Sequence, residues 1–468
     1  MARSPIALGL ASGRSRPLNA GRLVNLYAEQ AAAGSITQWV LYGTPGQKTF
    51  ATVGSGTIRA GREALGYAYV LSGQSVYRVD SSGNSLICTG DTPVATGTAM
   101  MTDNGVQVGM LVGTDVFYIT GTTVTKVTDA DFPATGALSI DYIDGFGVLN
   151  TNATTGQWFL SGLLDFSTYA ALDFATAESS PDGLLRVLAN HKEVWLFGSK
   201  SIEVWTDTGS TPFPFTQIPG SLMDRGIGAS LSAILMDNSV FWLGNDRIIY
   251  RANGYQPMRI STHAVEEVLR SGTVSDAFAM THVIGGHHFY VLTLPTLART
   301  LCFDAATQLW HERQYGTDVS NAAWNVNCIF TAFGKTLAGT MAGGVYELDL
   351  DTYLDGTTQI RRAVTSMPLY PNGNRGILKE VEMECELGVG LNTGQGSSPQ
   401  AMLRMSKDGG RTFGNYKTAT LGATGITRNR AHWHQLGMFR DGVVELSIAD
   451  PVKVAIYGAN YELEQLVN

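Results

Sequence analysis

The sequence predicts an all-β chain, and three observations carry that reading. Glycine is abundant, 54 of 468 residues, where its usual share is ~7 %. Charged residues make up 15 %, against roughly 25 % in a typical soluble domain. Both suit short strands joined by tight turns, and they exclude a coiled coil, a helical bundle or a disordered acidic chain. The third observation is a repeated pair of apolar strands around a turn, starting at Gly66, Gln107, Phe146, Glu193, Ser239, His287 and Lys335. The spacing of these starts lies between 39 and 48 residues. Paired strands at a period of ~40–50 residues are the signature of propeller blades. The expectation is therefore a β-propeller of about seven blades over 61–365, followed by a C-terminal β-sandwich over 366–468.

Each element has its own justification. Residues 1–60 read as an N-terminal basic arm and entry segment. Residues 1–28 carry Arg3, Arg14, Arg16 and Arg22 and no acid, with little periodicity, so an extended arm that gains order only by docking is expected. Removing residues 2–20 is then expected to leave a folded monomer. The hairpins follow, with Gly or Asn-Asp at turns that need positive φ. One helix is expected within Ser261–Gly272. There Val265, Val268 and Leu269 share a face, Ser261 or Thr262 caps the start and Gly272 ends it. After Ser366 the composition shifts to alternating strands with Gly, Asn and Asp turns, which reads as a separate small sandwich.

Charge and cysteine narrow the function classes. The net charge is −8, so free nucleic acid is not the expected ligand of the whole chain. Cys88, Cys302, Cys328 and Cys385 are scattered with no paired spacing, which excludes a zinc ribbon or a thioredoxin motif and suits a reducing compartment. No apolar run reaches ~18 residues, so no membrane-spanning helix is expected. The chain reads as starting near Met1 without a secretory leader.

Few residues suggest chemistry. Ser406–Phe413 (SKDGGRTF) fits an Asp-box turn, in which Asp408 bonds its own turn amides. A sialidase would repeat the box and add an arginine triad. His432 and His434 point to one face of a strand and could ligate zinc, but the sequence places no third ligand. His282, His287 and His288 form a second cluster. Structural or interface roles are expected for all five, with no metal, no cofactor and no catalytic residue. No nucleophile triad, HExxH motif or phosphate loop is present, so an enzyme is not expected.

At Ala177–Gly183 (AESSPDG) and Phe197–Glu203 (FGSKSIE) the chain resembles the packaged-DNA stabilisation proteins of short-tailed bacteriophages, also called tail hub or tail accessory factor proteins. Further matches follow in the same order: Arg22–Tyr27 (RLVNLY), Gly43–Gly46 (GTPG), Ser221–Gly228 (SLMDRGIG), Ser261–Ser271 and Trp433–Asp441. The first three hairpins carry no specific match. The resemblance implies a structural virion protein that forms a ring, a hexamer in the family, below the portal and its adaptor. It would close the head after packaging and hold tailspikes or fibres and a central needle or plug, with DNA near the channel as a further contact. Assembly in the bacterial host cytoplasm follows from the same resemblance, as does a chance that the loop around Arg225 meets a neighbour. The interface expectation thus rests on Arg3, Arg14, Arg16, Arg22 and Arg225. A glycan-binding or sialidase-like propeller is the alternative.

Overall fold

The computed structural model describes residues 2–466 except 4–5, 16–18, 154, 178, 181, 212 and 372–373. The AESSPDG turn is therefore described without Glu178 and Pro181, and Arg16 lies outside the described residues.

Among the described residues seven blades form a closed propeller, each built on four strands, with Thr89–Gly90 as a fifth on the outer edge of blade two. In every blade the hairpin read from the sequence supplies the second and third strands, from Tyr67–Ser72 with Ser75–Val79 in blade one to Lys335–Thr340 with Gly344–Asp349 in blade seven. The hairpins are legible because these strands are buried on both faces. Val108–Val112 and Ser239–Leu243 are buried at every position. The first strands, such as Ile58–Ala64, Phe278–Ile284 and Val326–Ala332, line the central channel.

An apolar cluster fills each space between adjacent blades. Tyr69 and Leu71 of blade one pack with Met110 and Phe117 of blade two, and Phe241 of blade five packs with Tyr290 and Phe303 of blade six. Phe330 and Leu337 of blade seven meet Ile58 and Val70 of blade one. Here Gly61 lies so close to the Phe330 ring that a Cβ would overlap it. The helix is His263–Arg270, capped by Thr262, whose hydroxyl accepts from the Val265 amide. Val265 and Leu269 are fully buried between blades five and six.

The ring is closed by a segment from the start of the chain. Gly46–Thr52 pairs antiparallel with Gly344–Asp349 as the outer strand of blade seven. Leu23–Val24 pairs on one side with Glu312 of blade six and on the other with Ala363 and Val364. Blade six therefore runs without interruption into one sheet of the sandwich, through Arg362–Thr365, Val443–Ile448, Gln400–Ser406 and Lys417–Thr420. The second sandwich sheet is ordered Leu26–Gln30, Trp39–Gly43, Ala455–Gln465, Gly376–Cys385 and Ala431–Phe439.

This corrects the expectation of a free arm; the C-terminal sandwich is present as expected but shares a sheet with blade six. Ala2–Arg3 pairs with Asn460 and Tyr461, Leu10 sits in the apolar cluster between blades five and six, and Leu23 and Leu26 are in the sandwich core. The few apolar residues of 1–28 suffice because they enter cores built by other segments. Asn25 fixes the crossing. Buried at φ 51°, its Nδ2 donates to the carbonyls of Gln314 and Arg361, both at 2.9 Å, and its Oδ1 accepts from the Gln314 amide.

Candidate interaction surface

The seam between propeller and sandwich holds two carboxylates, each gripped by two arginines. Glu312, buried in the outer strand of blade six, accepts from Arg22 Nε and from an Arg22 terminal nitrogen, both at 2.9 Å, and from Arg299 at 2.7 Å. Burial alone would raise its pKa, but the Arg22 and Arg299 charges outweigh burial and hold the carboxyl below the usual range. Glu445, in the sandwich, accepts from Arg361 at 2.5 Å, from Arg404 at 2.8 Å on both oxygens, and from the Tyr416 hydroxyl at 3.2 Å. Burial again opposes ionisation, and the Arg404 and Arg361 contacts outweigh it. Each carboxylate thus leaves one arginine charge uncompensated.

Of these groups Arg22, Arg299, Arg404 and Glu445 border a cleft of about 630 Å³. Its walls are the N-terminal segment (Leu10, Arg14, Arg22), the blade five–six side (Val268, Arg299) and the sandwich (Arg404, Arg411, Phe413). Five arginines, Arg14, Arg22, Arg299, Arg404 and Arg411, face two acids, Glu267 and Glu445. A chain of net charge −8 therefore presents a locally basic cleft.

The Asp box builds one rim of this cleft. Asp408 accepts from the Arg411 amide at 3.0 Å, the Thr412 amide at 2.9 Å and the Thr412 hydroxyl at 2.6 Å. The Thr412 hydroxyl and amide lead the contacts that push the Asp408 pKa well down. Phe413 and Tyr416 lie under the Arg404 guanidinium, with ring centroids 4.6 and 5.2 Å away. The box thus sets the position of Arg411 and braces Arg404.

Of the arginines singled out from sequence, the structure brings Arg14 and Arg22 to the cleft. Arg14 is exposed and 3.7 Å from Glu267. Arg3 belongs to the short strand on Ala455–Gln465. Arg225 is half-exposed between blades four and five, 3.7 Å from Asp246, and donates to the Asp224 carbonyl at 2.7 Å. Sequence reading missed Arg299, Arg404 and Arg411, because only the fold brings them to the arm.

The histidines divide into two kinds. His282 and His311 are buried in blade six, and burial pushes both imidazoles down to about 3. His287 bonds Asp304 at 2.7 Å, and that bond leads the contacts that raise its pKa. His432 and His434 instead lie on the outer sandwich sheet beside Glu380, with His432 Nδ1 2.5 Å from one Glu380 oxygen.

Comparison with known proteins accounts for nearly the whole length. Residues 3–353 match the family described as bacteriophage P22 Gp10, beta-propeller, and residues 361–464 match bacteriophage P22 Gp10, beta-sandwich. No curated relative matches. Similar solved structures include PorZ, a surface component of the type-IX secretion system of Porphyromonas gingivalis (TM-score 0.37, 11 % identity, covering 72 % of this chain and 44 % of that one). The extracellular domain of the putative hybrid two-component system BT4673 from B. thetaiotaomicron gives a TM-score of 0.45 at 10 % identity, covering 86 % of this chain and 56 % of that one. The N-terminal domain of Nup159 gives 0.41 at 9 % identity, covering 68 % and 97 %. The chain thus spans less than half the length of PorZ. With both of its folding units matched in order, the chain belongs to the bacteriophage P22 Gp10 family and is a structural protein of the phage tail.

Proposed function

We propose that this chain is the tail hub of a short-tailed phage. Copies form a ring, a hexamer by family analogy, beneath the portal and its adaptor. The ring closes the head after packaging, retains the DNA, and carries tailspikes or fibres and a central needle. Assembly takes place in the host cytoplasm, and the chain has no catalytic role. Its parts in this reading are the entry segment 1–60, whose strands are shared between propeller and sandwich, the propeller 61–365 and the sandwich 366–468, with the first strand of blade one starting earlier, at Ile58, and the strand Arg362–Thr365 already belonging to the sandwich.

The observation that carries the reading is the family match to both folding units. The basic cleft supports it by offering a docking place for a neighbouring virion chain, with Arg14 and Arg411 exposed at its edge. Arginine forks suit the carboxylates of such a partner. The test is to label this chain in purified particles and image them, and to assemble particles without it. A label at the head–tail junction and heads that lose DNA are expected. A label elsewhere, or heads that stay full without the chain, overturns the proposal.

A further inference from the structure

We propose that Glu380, His432 and His434 form a binding site for a divalent transition-metal ion of the zinc type on the outer face of the sandwich. The inference stands on this cluster alone and does not depend on the hub reading. His432 and His434 are two residues apart on Ala431–Phe439, so both side chains leave the same face of the sheet. Between them Trp433 points inward, is buried, and donates from Nε1 to the Lys417 carbonyl at 2.9 Å. This anchors the strand from behind. Glu380 lies directly opposite His434, and Glu382 directly opposite His432.

The strand pairing is irregular at this point. Leu378 faces Gly437 and Glu380 faces His434, so Lys379 alone opposes Leu436 and Gln435. Gln435 takes the extra turn at φ 55°. Such a bulge re-aims side chains. Here the two imidazole rings lie parallel, at 8° and 5.9 Å between centroids. His432 Nδ1 is 2.5 Å and His434 Nδ1 is 3.9 Å from the two oxygens of Glu380. One ligand atom from each residue falls within 4.8 Å of the others.

An ordinary ion pair would occupy one histidine. Here two neutral-capable imidazoles converge on one carboxylate, whose ion-pair partners among the described residues are these two histidines. A further carboxylate is in place behind the first ligand: Glu382 is 3.7 Å from His432 Nε2. At that distance Glu382 does not hydrogen-bond the ring, and its contribution is negative charge beside it. Glu462, directly opposite Glu380 on the other neighbouring strand, adds negative charge to the face. Neither of two nearby cations pairs with Glu380. Lys417 donates to the carbonyls of His434 and Gln435, and Arg430 approaches Glu382.

Two imidazoles and one carboxylate select zinc, nickel or copper over calcium or magnesium, which prefer all-oxygen shells. His434 is 65 % exposed, so the fourth position opens to solvent, as in three-ligand zinc sites. The ion would clip Gly376–Cys385 to Ala431–Phe439.

The test is calorimetric titration of the full chain with zinc chloride at pH 7.5, with magnesium chloride as control. One zinc per chain is expected, with no response to magnesium. His434→Ala removes an exposed side chain and should leave the circular dichroism unchanged while weakening zinc binding at least tenfold. Glu380→Gln should do the same, and Cys385→Ser should not. Absence of zinc binding, or an unchanged titration in His434→Ala, overturns the proposal.

Discussion

Arg22 and Glu312 meet across 290 residues of chain, through two parallel hydrogen bonds of 2.9 Å. The pair joins the first strands of the chain to the outer edge of blade six. Replacing Arg22 by Ala leaves Glu312, buried, with Arg299 as its remaining partner. Loss of one partner from a buried pair costs about 3 kcal/mol. Urea unfolding of Arg22→Ala should show that loss, and Arg22→Lys should recover only part of it, because an ammonium cannot make the fork.

The N-terminal segment should matter for stability as well as assembly. Leu10 is 5 % exposed, and its amide donates to the Trp310 carbonyl at 2.7 Å. Leu10→Ala should cost ~2–4 kcal/mol. Deleting residues 2–20 should lower the melting temperature clearly, and deleting 2–52 should prevent folding, since blade seven loses its outer strand.

Acid should destabilise the chain over a defined range. His282 and His311 titrate near 6.5 when unfolded and are pushed down to about 3 in the fold. The folded state therefore binds fewer protons, and stability present above pH 6.5 drains away as pH falls toward 3. Glu312 and Glu445, held below their usual range, add losses in the same direction. Thermal melts between pH 7.5 and 4 should trace the decline. His282→Leu, which replaces a ring with an unpartnered Nδ1, should make it shallower.

The cleft can be tested without disturbing the fold. Arg14 and Arg411 are exposed, so Arg14→Glu with Arg411→Glu should leave the melting temperature within about 1 °C, since exposed charges are worth little to stability. Incorporation into particles should fall. Arg225→Glu reports separately on the loop between blades four and five, where impaired assembly would place a neighbour.

Asp408→Ala removes the acceptor of two turn amides and of the Ser406 and Thr412 hydroxyls. A stability loss of ~1–2 kcal/mol is expected, with no hydrolytic rate on sialosides to lose. A sialidase rate abolished by this substitution would contradict the structural role of the turn.

Legibility from sequence followed the range of the interactions. The blade hairpins were legible because both strands and their turn lie within about twenty residues, and because burial on two faces makes runs such as Val108–Val112 wholly apolar. The helix was legible from Val265, Leu269 and its Thr262 cap. Leu23–Val24 and Gly46–Thr52 were not, since their partners lie about three hundred residues on and the local composition resembles a loose tail. His432 and His434 stood out as a pair, but Glu380 joins them only through a register that local pattern does not fix. The same holds for the cleft: Arg299 and Arg404 look like ordinary strand residues until the fold sets them against Arg22.

The closing strand sets an order of events on the ribosome. Thr52 must wait for Gly344, and at ~5–20 residues per second the interval is about 15–60 s. Through that time Gly46–Thr52 is an unpaired edge, with its amides and carbonyls open to any strand that comes by. Six blades can stack as they emerge, but the circle and the adjoining sandwich can be completed only once most of the polypeptide exists. Folding should therefore end in one late, concerted step that acts as a quality check: a truncated translation product would have neither a closed ring nor a finished seam.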